Sequence, residues 1–544
     1  MKRRSLLAGA ALPVLGCDKP AEITGGFNGI AFERGHLLRG SAEIAVPSRT
    51  HRTQVVVVGG GVAGLAAARA LRLHGVEDMA LLELEDSAGG NSRGGSVGGI
   101  ACPLGAHYLP VPGDDAADVQ DLLEELGLRR RVAGRWVIDE RHLCHSPQER
   151  LFFNGAWQDG LLPIQGVGAA TLAQYRRFAL LVAQAARAER WTIPTSAASA
   201  GPLQRALKTI SFDAYLVQQG LNDPHLRWYL NYCCLDDYGA GTASVSAWAG
   251  IHYFASRHGF DIPGLDHDGA RGEPHPVLTW AQGNAWLTRA LAASLGDRLA
   301  TGWLVRRIAA VGGGVEVDAL HPASGRTERW QARRCVVALP LFVAARVVQN
   351  APDFLLKAAS ATRYAPWLVA NLHIRAPLHD RPGPAPSWDN MIYAADASTQ
   401  RAGGLGYVDA MHQSLLPVPG ATVLTHYRAL GDLPDGRRQL LDQPWSHWRD
   451  LLLAELAPAH PDLAAKTTRI DITRYGHAMA IPVPTSRSLT ELGSGRRGKL
   501  TPAQRAVPVA GPLAFAHSDW AGYSIFEEAF TMGHAAGGLV ASSV

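Results

Sequence analysis

The feature that most restricts this chain is a β-branched run that ends in a glycine turn. Gln54-Val55-Val56-Val57-Val58 leads into Gly59-Gly60-Gly61-Val62-Ala63-Gly64, and helical spacing then runs from Val62 to Leu73. A continuous β-branched run of this kind reads as a buried parallel strand. Gly59, Gly61 and Gly64 supply the GxGxxG spacing. The first permits a tight strand-to-helix turn, the second lets a pyrophosphate approach the backbone, and the third lets helix and strand pack closely. A second strand, Ala80 to Glu83, follows, with Glu83 nineteen residues past Gly64. An acid there can accept hydrogen bonds from both ribose hydroxyls of an adenosine. This order predicts a Rossmann-like βαβ unit within an α/β fold, with a diphosphate at the helix N-terminus, where free N–H groups and the positive dipole end meet it.

At 544 residues the chain exceeds one compact core and calls for more than one domain. Its composition, 47% hydrophobic and 18% charged, is that of a globular protein. A net charge of +4 is small for this length, and no stretch reads as a nucleic-acid tract. The densest basic cluster, Arg129 to Arg131 with Arg135, is expected at a helix end, where cations suit the dipole.

The N-terminus reads as a targeting segment. Lys2-Arg3-Arg4 precedes an apolar run from Leu6 to Leu15 that is too short to span a bilayer. Arg3-Arg4 resembles a twin-arginine signal, which exports proteins already folded around a cofactor. Val14-Leu15-Gly16-Cys17 resembles a lipoprotein cleavage box, although Leu15 is bulkier than usual there. The expectation is an exported, periplasmic or cell-envelope lipoprotein held to the membrane only through a lipidated Cys17; the alternative is an ordinary cleaved signal. The remaining cysteines, Cys102, Cys144, Cys233, Cys234 and Cys335, form neither a disulfide framework nor a CxxC metal pattern.

Residues 18 to about 50 are rich in Gly, Ser and Pro and read as a tether and irregular arm. Residues 114 to 290 are mostly helical in pattern. Trp286 to Leu295 reads as a helix, Trp303 to Val311 with Val315 to Leu320 as a hairpin, and Cys335 to Leu339 as a buried strand closed by Pro340. Residues 366 to 480 alternate in strand fashion around Trp367, Tyr407 and Thr422 to Tyr427. A short strand, Leu513 to Ala516, and a helix from about Phe526 to Ala541 complete the chain.

FAD and NAD share the opening motif; the next stretch separates them. Ser87-Ala88-Gly89-Gly90-Asn91-Ser92-Arg93 resembles the glycine-doublet motif of flavin-containing amine oxidases, with Asn91 where that family usually has an arginine. The resemblance implies that Gly89 and Gly90 bring N–H groups to the pyrophosphate, with Arg93 nearby. It also implies that Gly105, Ala106 and His107 run past the flavin ring and that Val305 lies against adenine. Ala514-Phe515-Ala516-His517-Ser518-Asp519 and Glu527-Glu528-Ala529 resemble the family's last strand and helix. There Asp519 would bind the ribityl chain, and the helix start, with Glu528 and Ala529, would face the flavin edge where negative charge collects. The implied fold is a two-dinucleotide-binding-domain FAD fold with a mixed helical and antiparallel-sheet substrate domain. Its segments would be 1–17 signal, 18–50 arm, 51–113, 276–345 and 500–544 FAD-binding, and 114–275 and 346–499 substrate-binding. FAD is expected to be non-covalent, because no cysteine stands in the C-terminal segment where some relatives link it.

Such a protein would take a hydride from a small molecule, most simply at an amine C–N bond, with polyamines as candidates. Oxygen or a quinone-type acceptor would then reoxidise the flavin. Many relatives place a lysine, water-bridged to the flavin, on a strand resembled by Trp367 to Leu372; Asn371 falls at its place. Trp520, Tyr523 and Tyr475 are candidates for the aromatic pair that frames a substrate nitrogen. His477 is a candidate base, and the His252-Tyr253 pair and Asp266-His267-Asp268 are weaker candidates. Two other readings stay open: a desaturase or isomerase on an apolar carbon skeleton, favoured by an apolar tunnel without acids, and an electron-transfer lipoprotein, favoured by a sealed flavin.

Overall fold

The structure is a computed structural model that describes residues 22–40, 45–145, 147–263, 276–394, 403–415, 418–485 and 501–544. The expected N-terminal signal, with Arg3, Arg4 and Cys17, and the Asp266-His267-Asp268 candidate lie outside the described residues. Among the described residues no helix is long and apolar enough to cross a membrane.

Strand Arg49–Val58 and helix Val62–Leu73 form where the glycine spacing requires them. The strand pairs in parallel with Met79–Leu82 on one side and with Arg326–Val337 on the other. The second of these partners also pairs in parallel with Leu513–Phe515. The sheet is completed by Leu299–Ala300 at one edge and by the hairpin Leu304–Val311 and Gly314–His321 at the other. Successive side chains of a strand point to opposite faces. Val55 and Val57 therefore enter one apolar cluster with helix Val62–Leu73, and Val56 and Val58 enter another with Val337 and Phe515.

A second sheet of eight strands runs in the order Thr24–Phe27, Thr467–Ile481, Arg363–Ile374, Thr422–Ala429, Gly404–Asp409, Asp389–Ile392, Glu149–Phe153, Ala156–Asp159. Its strand Arg363–Ile374 shows the same alternation. Trp367 and Val369 face the large cluster built with helices Ala169–Ala188, Pro224–Tyr238 and Ala247–Ala255, whereas Leu368, Ala370 and Leu372 face a smaller one.

The structure departs from the sequence reading at three places. Arg129 to Arg131 do not end a helix: that helix, Ala117–Glu125, stops earlier, and Arg129–Val132 pairs with Arg135–Ile138 as a hairpin. The guanidinium of Arg129 lies 3.9 Å from the centre of the Trp136 ring, so cation–π attraction holds the cluster on its strand. Helices Gly436–Asp442 and Trp445–Leu456 interrupt the stretch read as strands. The N-terminal arm is regular in part, with strand Thr24–Phe27 and the short helix Phe32–His36.

Candidate functional site

A cavity of about 790 Å³ is lined by both sheets. Its floor is the glycine turn. Gly59 adopts φ +101°, and a Cβ there would lie 2.3 Å from the Ala338 carbonyl oxygen; a Cβ on Gly64 would lie 1.8 Å from the Gly59 carbonyl oxygen. Gly59 thus makes the turn and Gly64 the close packing, while Gly61 has the open side. A Cβ on Gly61 would meet nothing nearer than the Gly90 Cα at 3.9 Å. Helices Val62–Leu73 and Phe526–Ala541 both begin at this cavity, and no side chain caps either. They approach backbone to backbone at Gly533, where a Cβ would fall 2.0 Å from the Ala63 carbonyl oxygen. Two positive dipole ends therefore converge on one space.

Glu83 lines the cavity, and backbone donors hold both its oxygens: Gly60 N–H on Oε2 and Glu85 N–H on Oε1, each at 2.8 Å. A carboxylate has about four lone-pair sites, so two remain for hydroxyls. Burial raises the Glu83 pKa against the pull of those two N–H groups. At the other side Asp519 accepts Tyr364 Oη–H at 2.6 Å and Leu341 N–H at 3.1 Å, both on Oδ2. Its buried Oδ1 lies 3.1 Å from His517 Nδ1 and has no further partner among the described residues. Burial alone would raise the Asp519 pKa, yet His517, Tyr364 and Leu341 together bring it below the ordinary value. An ionised oxygen at the cavity wall with lone pairs to spare suits a hydroxyl chain. With the open face of Gly61, these residues fit a flavin dinucleotide.

Most of the residues picked from sequence meet at this cavity. Gly59, Gly61, Glu83, Gly89, Gly90, Gly105, Ala106, His107, Val305, Asp519, Ala529, Tyr475 and His477 all line it. Gly105 cannot be another residue, because a Cβ would lie 2.0 Å from the Asn91 carbonyl oxygen. Tyr475 Oη–H donates to Leu104 O at 2.6 Å and Tyr427 Oη–H to Gly105 O at 3.1 Å, so two phenols tether the segment they face. His107 stacks on Tyr427 at 4.4 Å, and burial pushes its pKa down to about 3.

Other expectations are corrected. Arg93 braces the glycine doublet from behind: its Nε donates to Gly90 O at 2.9 Å, and its Nη1 lies on Gly29 O and the Glu85 carboxylate. Asn371 is fully buried, with Thr425 Oγ1 donating to its Oδ1 at 2.8 Å, and it is not at the cavity wall; Trp367, four residues earlier, is. Trp520 sits in the core against Phe515 and Phe354. Glu528 turns toward the helical layer, accepting Thr195 N–H at 2.6 Å and Tyr523 Oη–H at 3.1 Å; its neighbour Glu527 faces the cavity. Tyr523 is likewise buried there. His252 is a core residue, bonded to Thr192 O and packed on Trp248. His477 stacks on Phe342 at 4.3 Å beside Tyr364; burial, then Arg437, Arg39 and His36, push its pKa down to about 4, which makes it a weak base.

The sequence reading missed the far end of the cavity. Trp367, Tyr427, Tyr108, Asp236 and Asp237 line it. Asp237 is paired with Arg257 at 3.1 Å. Among the described residues Asp236 has only the Tyr108 hydroxyl at 3.4 Å, and burial, then Asp237, raise its pKa to about 7. Behind it Glu149 and Asp389 stand in register on neighbouring strands; burial raises the Glu149 pKa to about 7. Coulombic coupling links Asp389 to both Glu149 and Asp236. A run of tyrosines and acids at scattered positions gives no motif; only the fold collects them.

Comparison with known proteins agrees with this geometry. Protein anon-37Cs of Drosophila lebanonensis is 37% identical over 97 residues, 18% of either chain. Mitochondrial protoporphyrinogen oxidase of Nicotiana tabacum is 38% identical over 93 residues, 17% of this chain and 18% of its own. The matched stretches thus span less than a fifth of these relatives. Solved structures are similar over nearly the whole chain: a double mutant of putrescine oxidase (TM-score 0.64, 17% identity, 91% of this chain and 100% of that one) and cyclohexylamine oxidase from Brevibacterium oxydans (0.61, 18%, 90% and 99%). A fatty acid isomerase from P. acnes has the same fold (0.59, 16%, 89% and 97%). The flavin-containing amine oxidoreductase family matches residues 62–538, from the first turn of the glycine-motif helix to the last helix. The chain belongs to the flavin-containing amine oxidoreductases and is an FAD-dependent oxidoreductase.

Proposed function

We propose that the protein oxidises a C–N bond of a small amine that carries more than one positive charge, such as a polyamine, and holds its FAD non-covalently. One observation carries this reading: the cavity includes a chamber walled by Tyr108, Trp367 and Tyr427 whose Asp236 carboxyl is paired with no cation among the described residues, while Arg257 on its lining is neutralised by Asp237. A cation gains from ring faces and from a carboxylate in a low-dielectric space. A bound flavin supplies the two-electron acceptor for the substrate C–H bond. The chain does the rest. Tyr108, Trp367 and Tyr427 orient the amine and exclude water, and Asp236 binds the ammonium group remote from the oxidised bond, whose charge would hold the carboxyl ionised. Glu83 and Asp519 hold hydroxyls of the cofactor.

An isomerase acting on an apolar chain would be served by a tunnel without acids, and Asp236 speaks against it. A purely electron-carrying role would leave no use for the chamber. Oxygen or a quinone-type compound is the proposed electron acceptor. Export through Arg3-Arg4 and lipidation at Cys17 would place the protein in the cell envelope.

The test is anaerobic bleaching of the flavin absorbance. Diamines and polyamines should bleach it, monoamines more weakly, and unsaturated fatty acids not at all. Bleaching by none of the amines, or double-bond migration in a fatty acid, would overturn the proposal.

A further inference from the structure

The N-terminal arm crosses from one sheet to the other over the cofactor gap. Strand Thr24–Phe27 pairs in parallel with the substrate-side strand Thr467–Ile481, from Thr24 opposite Arg469 to Phe27 opposite Ile472. The fit is close: Gly25 (φ +144°) and Gly29 (φ +93°) leave no room for a Cβ against Ile470 and Thr473. The Arg474 guanidinium lies 3.7 Å from the Phe27 ring centre and 4.9 Å from that of Phe32.

The arm then reaches the nucleotide side. Arg93 Nη1 donates to Gly29 O at 3.1 Å. Arg34 is bidentate to Asp86 at 2.7 and 3.1 Å and also donates to Leu84 O, just past Glu83. Arg346 Nη1 donates to Leu38 O at 3.2 Å. Between these anchors Ile30, Phe32, His36, Leu38 and Arg39 line the cavity itself.

The arm also brings charge. His36 and Arg39 join Arg346 and Arg437 on the same wall, and among the described residues no carboxylate pairs with Arg39, Arg346 or Arg437. Cations without a carboxylate partner, in a cavity that two helix N-termini also enter, complement a diphosphate dianion. The arm precedes residues 62–538, which the family matches.

We infer that residues 24–39 form a strap that retains the cofactor: it closes over the dinucleotide, is latched by Arg34 on Asp86, and supplies Arg39 to the diphosphate. The inference rests on non-covalent FAD. Retention requires that a ligand and a segment closed over it stabilise each other reciprocally.

The experiment uses the FAD-loaded full chain. Arg34→Ala should release FAD about tenfold faster on dilution, read as free-flavin fluorescence. Arg39→Ala should weaken FAD binding about tenfold while the latch stays intact. Apo forms of both variants should melt like the wild-type apoprotein. In the unaltered protein, trypsin should cut after Arg34 and Arg39 more slowly with FAD than without. Release at the wild-type rate from both variants, or equal cutting with and without FAD, would overturn the strap alone. Flavin that stays with the acid-denatured polypeptide would overturn non-covalent binding and the strap together.

Discussion

Glu83 and Gly60 are fitted to each other in both directions. Glu83 Oε2 accepts the Gly60 N–H at 2.8 Å, and a Cβ on residue 60 would sit the same 2.8 Å from that oxygen. The middle glycine of the turn is therefore dictated by the acid of the next strand. Glu83→Ala should weaken FAD binding by about 1–3 kcal/mol through lost charge-assisted hydrogen bonds. Gly60→Ala should weaken it too, by displacing the Glu83 carboxylate while leaving its charge. Flavin titration of the apoproteins measures both.

Asp236 is expected to act on binding before chemistry. Asp236→Asn should raise KM for a diamine roughly 10–100-fold, the equivalent of one charge-assisted hydrogen bond. Effects on a monoamine should be smaller. Equal loss for both substrates in steady-state assays would place the carboxyl elsewhere in the cycle.

Glu149 binds its proton more tightly in the folded chain than in the unfolded one, with a pKa of about 7. Between the ordinary carboxylate range and about 7 the native state keeps a proton that the unfolded state has shed, so this group's contribution to stability falls as pH rises through that window. His107, with its pKa pushed down to about 3, acts in the opposite sense below the ordinary histidine range, so a difference between variants is the clean measure. Glu149→Gln should melt close to wild type at pH 5 and about 2–4 °C above it at pH 8. A constant difference across that range would contradict the assignment.

Trp520 should behave as core. It is 1% exposed and packs with Phe515 and Phe354. Trp520→Ala should cost about 3–5 kcal/mol of stability and leave the ratio of kcat/KM between two amines unchanged. Denaturant unfolding and paired kinetics check the two halves.

Membrane attachment is expected to depend on one sulfur. Cys17→Ser should move the mature protein from the membrane fraction to the soluble one after cell fractionation, and retention in the membrane would contradict lipid anchoring.

The cofactor half of the site was legible because it is local: strand, glycine turn, helix and acid lie within thirty residues, and each has a steric reason on its own stretch of backbone. The substrate half was not. Trp367 and Tyr427 reach the cavity through the register of strands that pair across sixty residues, and Asp236 sits on helix Pro224–Tyr238, buried on all sides and so without an amphipathic stripe to orient it. Glu528 and Glu527 show how small an offset matters, since adjacent residues on a helix point about 100° apart. Asn371 failed for a related reason: it shares a strand face with Trp367, but Thr425 opposite covers it. Arg129 to Arg131 were misplaced because they lie on a hairpin, where Trp136 takes Arg129 and Arg131 on its ring and Glu124 pairs with Arg129.

The pairing of Thr24 with Arg469 has a consequence for biosynthesis. The arm leaves the ribosome first, yet the strand that receives it is made more than four hundred residues later, and Asp519 later still. A nascent chain can form the glycine turn early, but it owns no complete pocket until translation is almost finished. Flavin capture is thus a property of the finished polypeptide, and any step that moves the chain across a membrane must either wait for that moment or carry the chain empty.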